Sequence, residues 1–223
     1  MYLQIGTPLK LESINKNPLP IQELKRKFQI LIIDDNPPPM LETLRRMDFN
    51  VRDMRDIENI EAVEPYPIIA CDIGGIGKAF RPDSNNGGLH VLKEIRKYYP
   101  DKFLIQYSTK TQNIDQGLTK ADVIFPKDTT IDHWQEYLET ALSELGNPKT
   151  RWMKIRKRLS EEGMDGYQIF TLEQAYIKEL NSSGKGSLSD KRNTDLLSPE
   201  IKKLIINFAA TTAAMGIKEM LKQ

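Results

Sequence analysis

A doubly wound, parallel α/β sheet is the fold class predicted by three observations. Short apolar runs recur between residues 28 and 126, segments of helical period separate them, and the runs end on charged or hydroxyl side chains. Phe28–Ile33 closes on Asp34 and Asp35, and Pro67–Cys71 closes on Asp72. Lys102–Tyr107 ends on Ser108, and Asp122–Phe125 leads through Pro126 to Lys127. In open parallel sheets ligands bind beyond the carboxyl ends of the strands. Three carboxylates, one hydroxyl and one ammonium are therefore expected in one cleft.

Each element has its own justification. Residues 1–27 read as an arm: a weak strand or coil, then Pro18, Pro20 and a short basic helix, IQELKRK. A strand at 28–34 precedes a helix near 39–48, with Pro39 suited to its first turn. FNVRDM is a modest strand, followed by a short helix at 56–64. After the strand at 67–72 comes a glycine-rich loop and the helix LHVLKEIRKYY, stopped by Pro100. The strand 102–108 is followed by a helix near 113–120, a strand at 122–126 and the helix IDHWQEYLETALSEL. Five strands alternating with helices over 28–148 make one domain with short connections.

Beyond Pro148 the pattern is helical only, so 149–223 is an α-helical C-terminal extension. A helix is expected at 150–161. Thr171–Gln174 offers a capping box for a second, and a polar linker near 181–197 reads as flexible. Ser198-Pro199-Glu200 supplies an N-cap, a first-turn proline and an acid for a final helix, 199–221.

The chain of 223 residues holds 32 basic and 31 acidic side chains, but unevenly. Residues 28–148 carry a net −7, flanked by +3 before and +5 after. Cys71, the single cysteine, lies in an apolar run and reads as a small buried hydrophobe. No secretory signal is evident, and the longest apolar stretch, Leu204–Ile217, is too short for a bilayer. A cytoplasmic protein without a transmembrane segment is expected.

Clustered carboxylates repel one another, so Asp34, Asp35 and Asp72 call for a cation, and hard oxygen donors with open positions suit Mg²⁺. An aspartate beside such a cation can attack phosphorus, with the Lys127 ammonium and Ser108 hydroxyl neutralising the phosphoryl oxygens. In this order of residues the chain resembles the receiver domain of two-component response regulators, over about residues 28–145. The resemblance implies a flavodoxin-like receiver sheet with Asp72 as phosphoacceptor. It further implies Mg²⁺ held directly by Asp35, Asp72 and the backbone carbonyl of Gly74, with Asp34 acting partly through water. Ser108 and Lys127 would respond to the phosphoryl group, delivered by a histidine kinase or phosphotransfer protein.

The chain also departs from that pattern. Asp128 stands where the family has proline after the lysine, and Ile124 replaces the aromatic residue three positions before it. The loop after Asp72 is longer than usual, with Lys78 and Arg81 able to overhang the site, and the turn after the acidic pair is the stiff Asn36-Pro-Pro-Pro39. A pseudo-receiver used as an interaction scaffold is therefore the alternative reading. A Mg²⁺-dependent phosphohydrolase is disfavoured because Gly74 occupies the position an acid/base would need, and no enzymatic turnover is expected.

Other signals have blander readings. Gly74-Gly-Ile-Gly77-Lys78 imitates the end of a phosphate-binding loop, but Asp72 stands at the first glycine position and Ala79 replaces Ser or Thr. It reads as a flexible loop. His90 and His133 lack companions at ligand spacing. Lys149–Arg158 contains six basic side chains around Trp152 and could touch nucleic acid, but a solvated helix face meeting the acidic core is the blander reading, and no DNA-binding motif follows. In helix 199–221 the stripe Ile201, Leu204, Ile205, Phe208, Thr212, Met215 and Met220 opposes a small-residue face. That arrangement is suited either to a homo-oligomer or partner contact, or to packing on its own domain.

Overall fold

The computed structural model describes residues 7–14, 19–36, 38–82, 86–109, 120–181, 188–195 and 197–221. Its centre is one sheet of five parallel strands: β1 (Ile30–Ile33), β2 (Val51–Met54), β3 (Ile68–Asp72), β4 (Phe103–Ser108) and β5 (Val123–Pro126). The strand order β2-β1-β3-β4-β5 is the flavodoxin-like doubly wound order, whose switch point lies between β1 and β3.

Alternation along the strands explains why these runs are apolar throughout. Ile30, Ile32, Ile68, Ala70, Phe103 and Ile105 face one side. Leu31, Ile33, Ile69, Cys71 and Leu104 face the other. The first side is covered by α1 (Ile21–Lys27), α2 (Leu41–Arg46) and α4 (Ile131–Leu145), through Leu24, Leu44, Trp134 and Leu138. The second is covered by Val91, Leu92 and Ile95 of α3 (Gly87–Tyr98) and by a 3-10 turn at Ile60–Val63. That turn, capped by the Asn59 side chain accepting from the Ala62 amide at 3.1 Å, stands where the sequence predicts a helix at 56–64. The helix expected near 113–120 lies almost wholly outside the described residues, as does the start of the arm.

The helical extension comprises α5 (Pro148–Glu161), α6 (Gly166–Asn181), α7 (Lys191–Thr194), α8 (Pro199–Ala214) and α9 (Ile217–Met220). Asn147 caps α5 by accepting from the amides of Lys149 and Thr150. The capping box that starts α6 is Asp165 with Gln168, not Thr171 with Gln174: each side chain of the first pair accepts from the other's amide, at 2.9 and 3.2 Å. Thr171 is already inside the helix, its hydroxyl donating to the Tyr167 carbonyl. The expected flexible linker is partly ordered, with Leu188 buried, its amide donating to Glu179, and α7 beyond it. Residues 182–187 of that linker lie outside the described residues.

The predicted helix 199–221 is two helices, because the chain turns at Gly216 with φ of 61°. Its apolar stripe faces inward: Ile201, Leu204, Ile205, Phe208, Thr212, Met215 and Met220 are all buried within the chain. Of the two readings of that stripe, its burial matches packing on the chain's own domain, and Ile206 is the large apolar side chain of α8 left exposed. Trp152 is buried too, stacked on Tyr176 at 5.4 Å and edge-on to Phe208 at 6.1 Å. It is not a platform for nucleic-acid bases.

A buried polar cluster joins the extension to the amino edge of the sheet. The Arg151 guanidinium pairs with Asp101, both about 1% exposed, and donates to the Thr212 hydroxyl at 2.9 Å. The neighbouring Lys102 ammonium reaches the carbonyls of Glu64 and Tyr66 at 2.9 Å each and lies 4.7 Å from the Tyr99 ring centre. Burial pushes Lys102 down to about 7, against the opposing pull of the Asp101 charge. A neutral amine still has two N–H groups for the two carbonyls. Between about 7 and 10.5 the unfolded chain holds a proton here that the folded protein has released. Stability should therefore rise with pH across that window. We expect the denaturant midpoint of the wild type, compared at pH values near either end, to show this rise and Lys102→Met to lack it. Equal pH responses in the two proteins would show that Lys102 stays charged when buried.

No helix among the described residues is long and apolar enough to cross a membrane.

Candidate functional site

The carboxyl ends of β1 and β3 flank the switch point, and the residues predicted there converge. One carboxylate oxygen from each of Asp34, Asp35 and Asp72 lies within 4.8 Å of the others. The Lys127 ammonium bridges two of them, 2.7 Å from Asp34 Oδ2 and 3.0 Å from Asp72 Oδ2. Burial alone would lower Lys127, but its hydrogen bonds to Asp34 and Asp72 and their charges outweigh burial and hold it above the ordinary lysine value. It is therefore a fixed cation near neutral pH. Ser108 ends β4, 5% exposed, and its carbonyl accepts from the Lys127 amide at 2.9 Å. That bond ties the ends of β4 and β5 together and positions both side chains.

The three aspartates are not equivalent. Asp34 is fully buried. It accepts from the Asn36 amide at 2.8 Å, from Lys127, and from the Tyr107 hydroxyl at 2.8 Å. Asp72, 7% exposed, accepts from the Ile73 amide at 2.7 Å. Asp35 is exposed and stands against Gly75.

Tyr107 is a member of the site that periodicity did not reveal, because a tyrosine in an apolar strand reads as core. Its ring is core, packed at 5.4 Å edge-on against Trp134 and at 6.3 Å along Phe125. Only the hydroxyl reaches the carboxylates. Burial, then the Asp34 charge and hydrogen bond, push the phenol far up, so it remains a donor. The signal for it would have been its place one residue before the strand-end Ser108.

Asp56 was also missed. Its carboxylate accepts from the amides of Gly77 at 2.7 Å, Lys78 at 3.3 Å and Ile57 at 2.8 Å. The loop after Asp72, expected to be flexible, is thus pinned where it passes the site. Two of the amides that would face a phosphate in a true phosphate-binding loop, those of Gly77 and Lys78, are thus already occupied. Among the described residues neither Lys78 nor Arg81 forms an ion pair with the acidic site.

Gly75 is required by geometry twice. Its φ is +76°, and a Cβ there would come within 2.1 Å of Asp35 Oδ2. Gly75→Ala should lower stability by about 1–2 kcal/mol through backbone strain and push the Asp35 carboxylate aside. Calorimetric Mg²⁺ titration should show weaker binding by the variant. Unchanged affinity would remove Asp35 from the ligand set.

The donor set suits a hard divalent cation. Oxygens on one Mg²⁺ can be at most about 4.2 Å apart, twice a bond of roughly 2.1 Å. The three aspartate oxygens lie within 4.8 Å of one another, close to that limit, and Asp34 already accepts from Lys127, Tyr107 and Asn36. Gly74 lies two residues beyond Asp72 in the same loop.

No protein-family model matches the sequence, and no curated protein matches it. Among solved structures, the response regulator StyR aligns with 88% of this chain and 92% of its own, at 13% identity and a TM-score of 0.40. A likeness that distant assigns no family; the flavodoxin-like class rests on the strand order and on helices covering both faces of the sheet.

Proposed function

We propose that this protein is a phosphoryl-accepting receiver in two-component-type signalling, with Asp72 as the acceptor. The observation that carries this reading is the position of Asp72: at the end of β3, beside Asp35 and 3.0 Å from the Lys127 ammonium. A carboxylate oxygen of Asp72 attacks phosphorus, and the bond from phosphorus to the donor's leaving atom breaks with its electron pair departing on that atom. Mg²⁺, when bound by Asp35, Asp72 and the Gly74 carbonyl, would neutralise phosphoryl oxygens. Lys127 keeps its positive charge and passes from the Asp72 carboxylate to the new phosphoryl group, while Ser108 supplies a hydroxyl. A phosphohistidine on a histidine kinase or phosphotransfer protein is the donor class, and the output is a change in protein–protein contacts. With Gly74 where a hydrolase would carry its acid/base, the chemistry stops at the acyl phosphate.

The alternative, an interaction scaffold that no longer accepts phosphate, has one observation in its favour. Lys127 and the Tyr107 hydroxyl already compensate Asp34 without a metal. Incubation with a small phosphodonor and Mg²⁺, followed by intact-mass measurement, separates the two. We expect one phosphoryl group on the wild type and none on Asp72→Asn, with Mg²⁺ required. A wild type that neither gains mass nor binds Mg²⁺ is the scaffold.

A further inference from the structure

At the opposite edge of the sheet, a cleft of about 540 Å³ opens between α3, α5 and the start of β5. Its lining holds seven basic and three acidic side chains, in a chain whose net charge is +1. Its floor is a rigid bonded unit. Arg96 donates to the carbonyls of Lys120 at 3.0 Å and of Pro100 and Lys102 at 2.9 Å, and to Asp122 Oδ2 at 2.6 Å. Lys154 approaches the other Asp122 oxygen at 3.4 Å, and the Leu104 amide donates to Asp122 at 2.8 Å. The acid on the floor is thus compensated twice over. Glu161, at the rim, faces Arg158 at 3.7 Å.

What remains is four lysines, Lys93, Lys97, Lys120 and Lys157, which form no ion pair among the described residues. Lys93 and Lys97 stand four residues apart on α3, the spacing at which like charges repel on one helix face. Lys154 and Arg158 repeat that spacing on α5 across the cleft. Glu94 also lines the cleft and its charge favours the protonated form of Lys97, so it offsets part of this excess. The cations left over are stabilised by an anion carrying several charges. An ammonium is a point charge suited to phosphate oxygens, and the cavity volume lies in the range of small-ligand sites.

We infer that this cleft binds a compact polyphosphate anion, free or as the phosphate chain of a nucleotide, in a site separate from the carboxylates. Parallel strands of four to six residues separate it from the acidic cleft by roughly 15–20 Å. The occupant would touch α3 of the sheet unit and α5 of the extension together. Lys154, Lys157 and Arg158 of the basic run Lys149–Arg158, which the acidic site does not use, line this wall.

The test is calorimetric titration of the full chain with tripolyphosphate in Mg²⁺-free buffer, with a single-stranded oligonucleotide series in parallel. One tripolyphosphate per chain is expected, with affinity lowered about tenfold or more by Lys97→Glu and by Lys157→Glu. Both residues are exposed, so folding should be unaffected. Lys157→Arg should retain binding, and Arg52→Glu on the far edge strand should change nothing. Absence of saturable binding, or an equal loss in Arg52→Glu, would overturn the site. So would affinity that grows with oligonucleotide length while tripolyphosphate fails to saturate, since that marks a diffuse basic surface.

Discussion

Arg151→Met should destabilise the protein by about 3–5 kcal/mol, the cost of stranding a buried carboxylate. Asp101, fully buried, has Arg151 as its ion-pair partner, and its Oδ1 has no hydrogen bond among the described residues. Removing the guanidinium leaves that buried charge without an ion-pair partner, with Lys102 the nearest compensating group, and also frees the Thr212 hydroxyl, which otherwise accepts from Arg151. Because α5 carries Arg151 and α8 carries Thr212, the extension should loosen from the amino edge of the sheet. Denaturant unfolding measures the loss, and hydrogen exchange places it at α5 and α8. The double variant Asp101→Leu with Arg151→Met should be more stable than Arg151→Met alone, since no unpaired charge remains. If the single variant unfolds with the wild-type midpoint, the cluster is not what fastens the extension.

Lys127→Ala should cost about 3 kcal/mol in the absence of metal, near the lower end for removing one partner of a buried pair because Lys127 is partly exposed. Asp34 and Asp72 then face each other with the Tyr107 hydroxyl and two backbone amides as compensation. Mg²⁺ should recover much of the loss, about 2.7 kcal/mol at a hundredfold excess over its Kd. It should raise the melting temperature of Lys127→Ala more than that of the wild type. The variant should also fail to transmit acyl-phosphate formation to the rest of the fold, although Asp72 remains. A Lys127→Ala protein whose melting temperature ignores Mg²⁺ would show that the three aspartates hold no metal.

These two variants divide the molecule between what its sequence made legible and what it concealed. Four apolar runs ending on Asp34–Asp35, Asp72, Ser108 and Lys127 were readable because a parallel strand covered on both faces must be apolar along its length. A charged residue at the end of such a run stands out against it. The alternation of strands with helices then sufficed for the sheet class. Strand order alone places the switch point where the acidic ends meet.

The rest depended on contacts between residues far apart in the chain. Tyr107 and Asp34 are 73 residues apart, and Arg151 and Asp101 are 50 apart. Tyr107 has the pattern of a core residue and Asp56 that of an ordinary loop acid. Arg151 sits within a run that reads as a solvated basic face. The α8 stripe has the periodicity of a helix seeking an apolar surface, and periodicity reports only that such a surface exists. Whether it belonged to a partner or to the same chain was decided by tertiary packing, which supplied the core around Trp152, Tyr176 and Phe208. Local sequence thus determined which segments become strands and helices and which polar groups stand at their ends, because both follow from backbone hydrogen bonding and side-chain alternation over a few residues. Only the folded chain determined which charges are compensated and which faces are closed, because burial and pairing are properties of neighbours that the sequence holds apart.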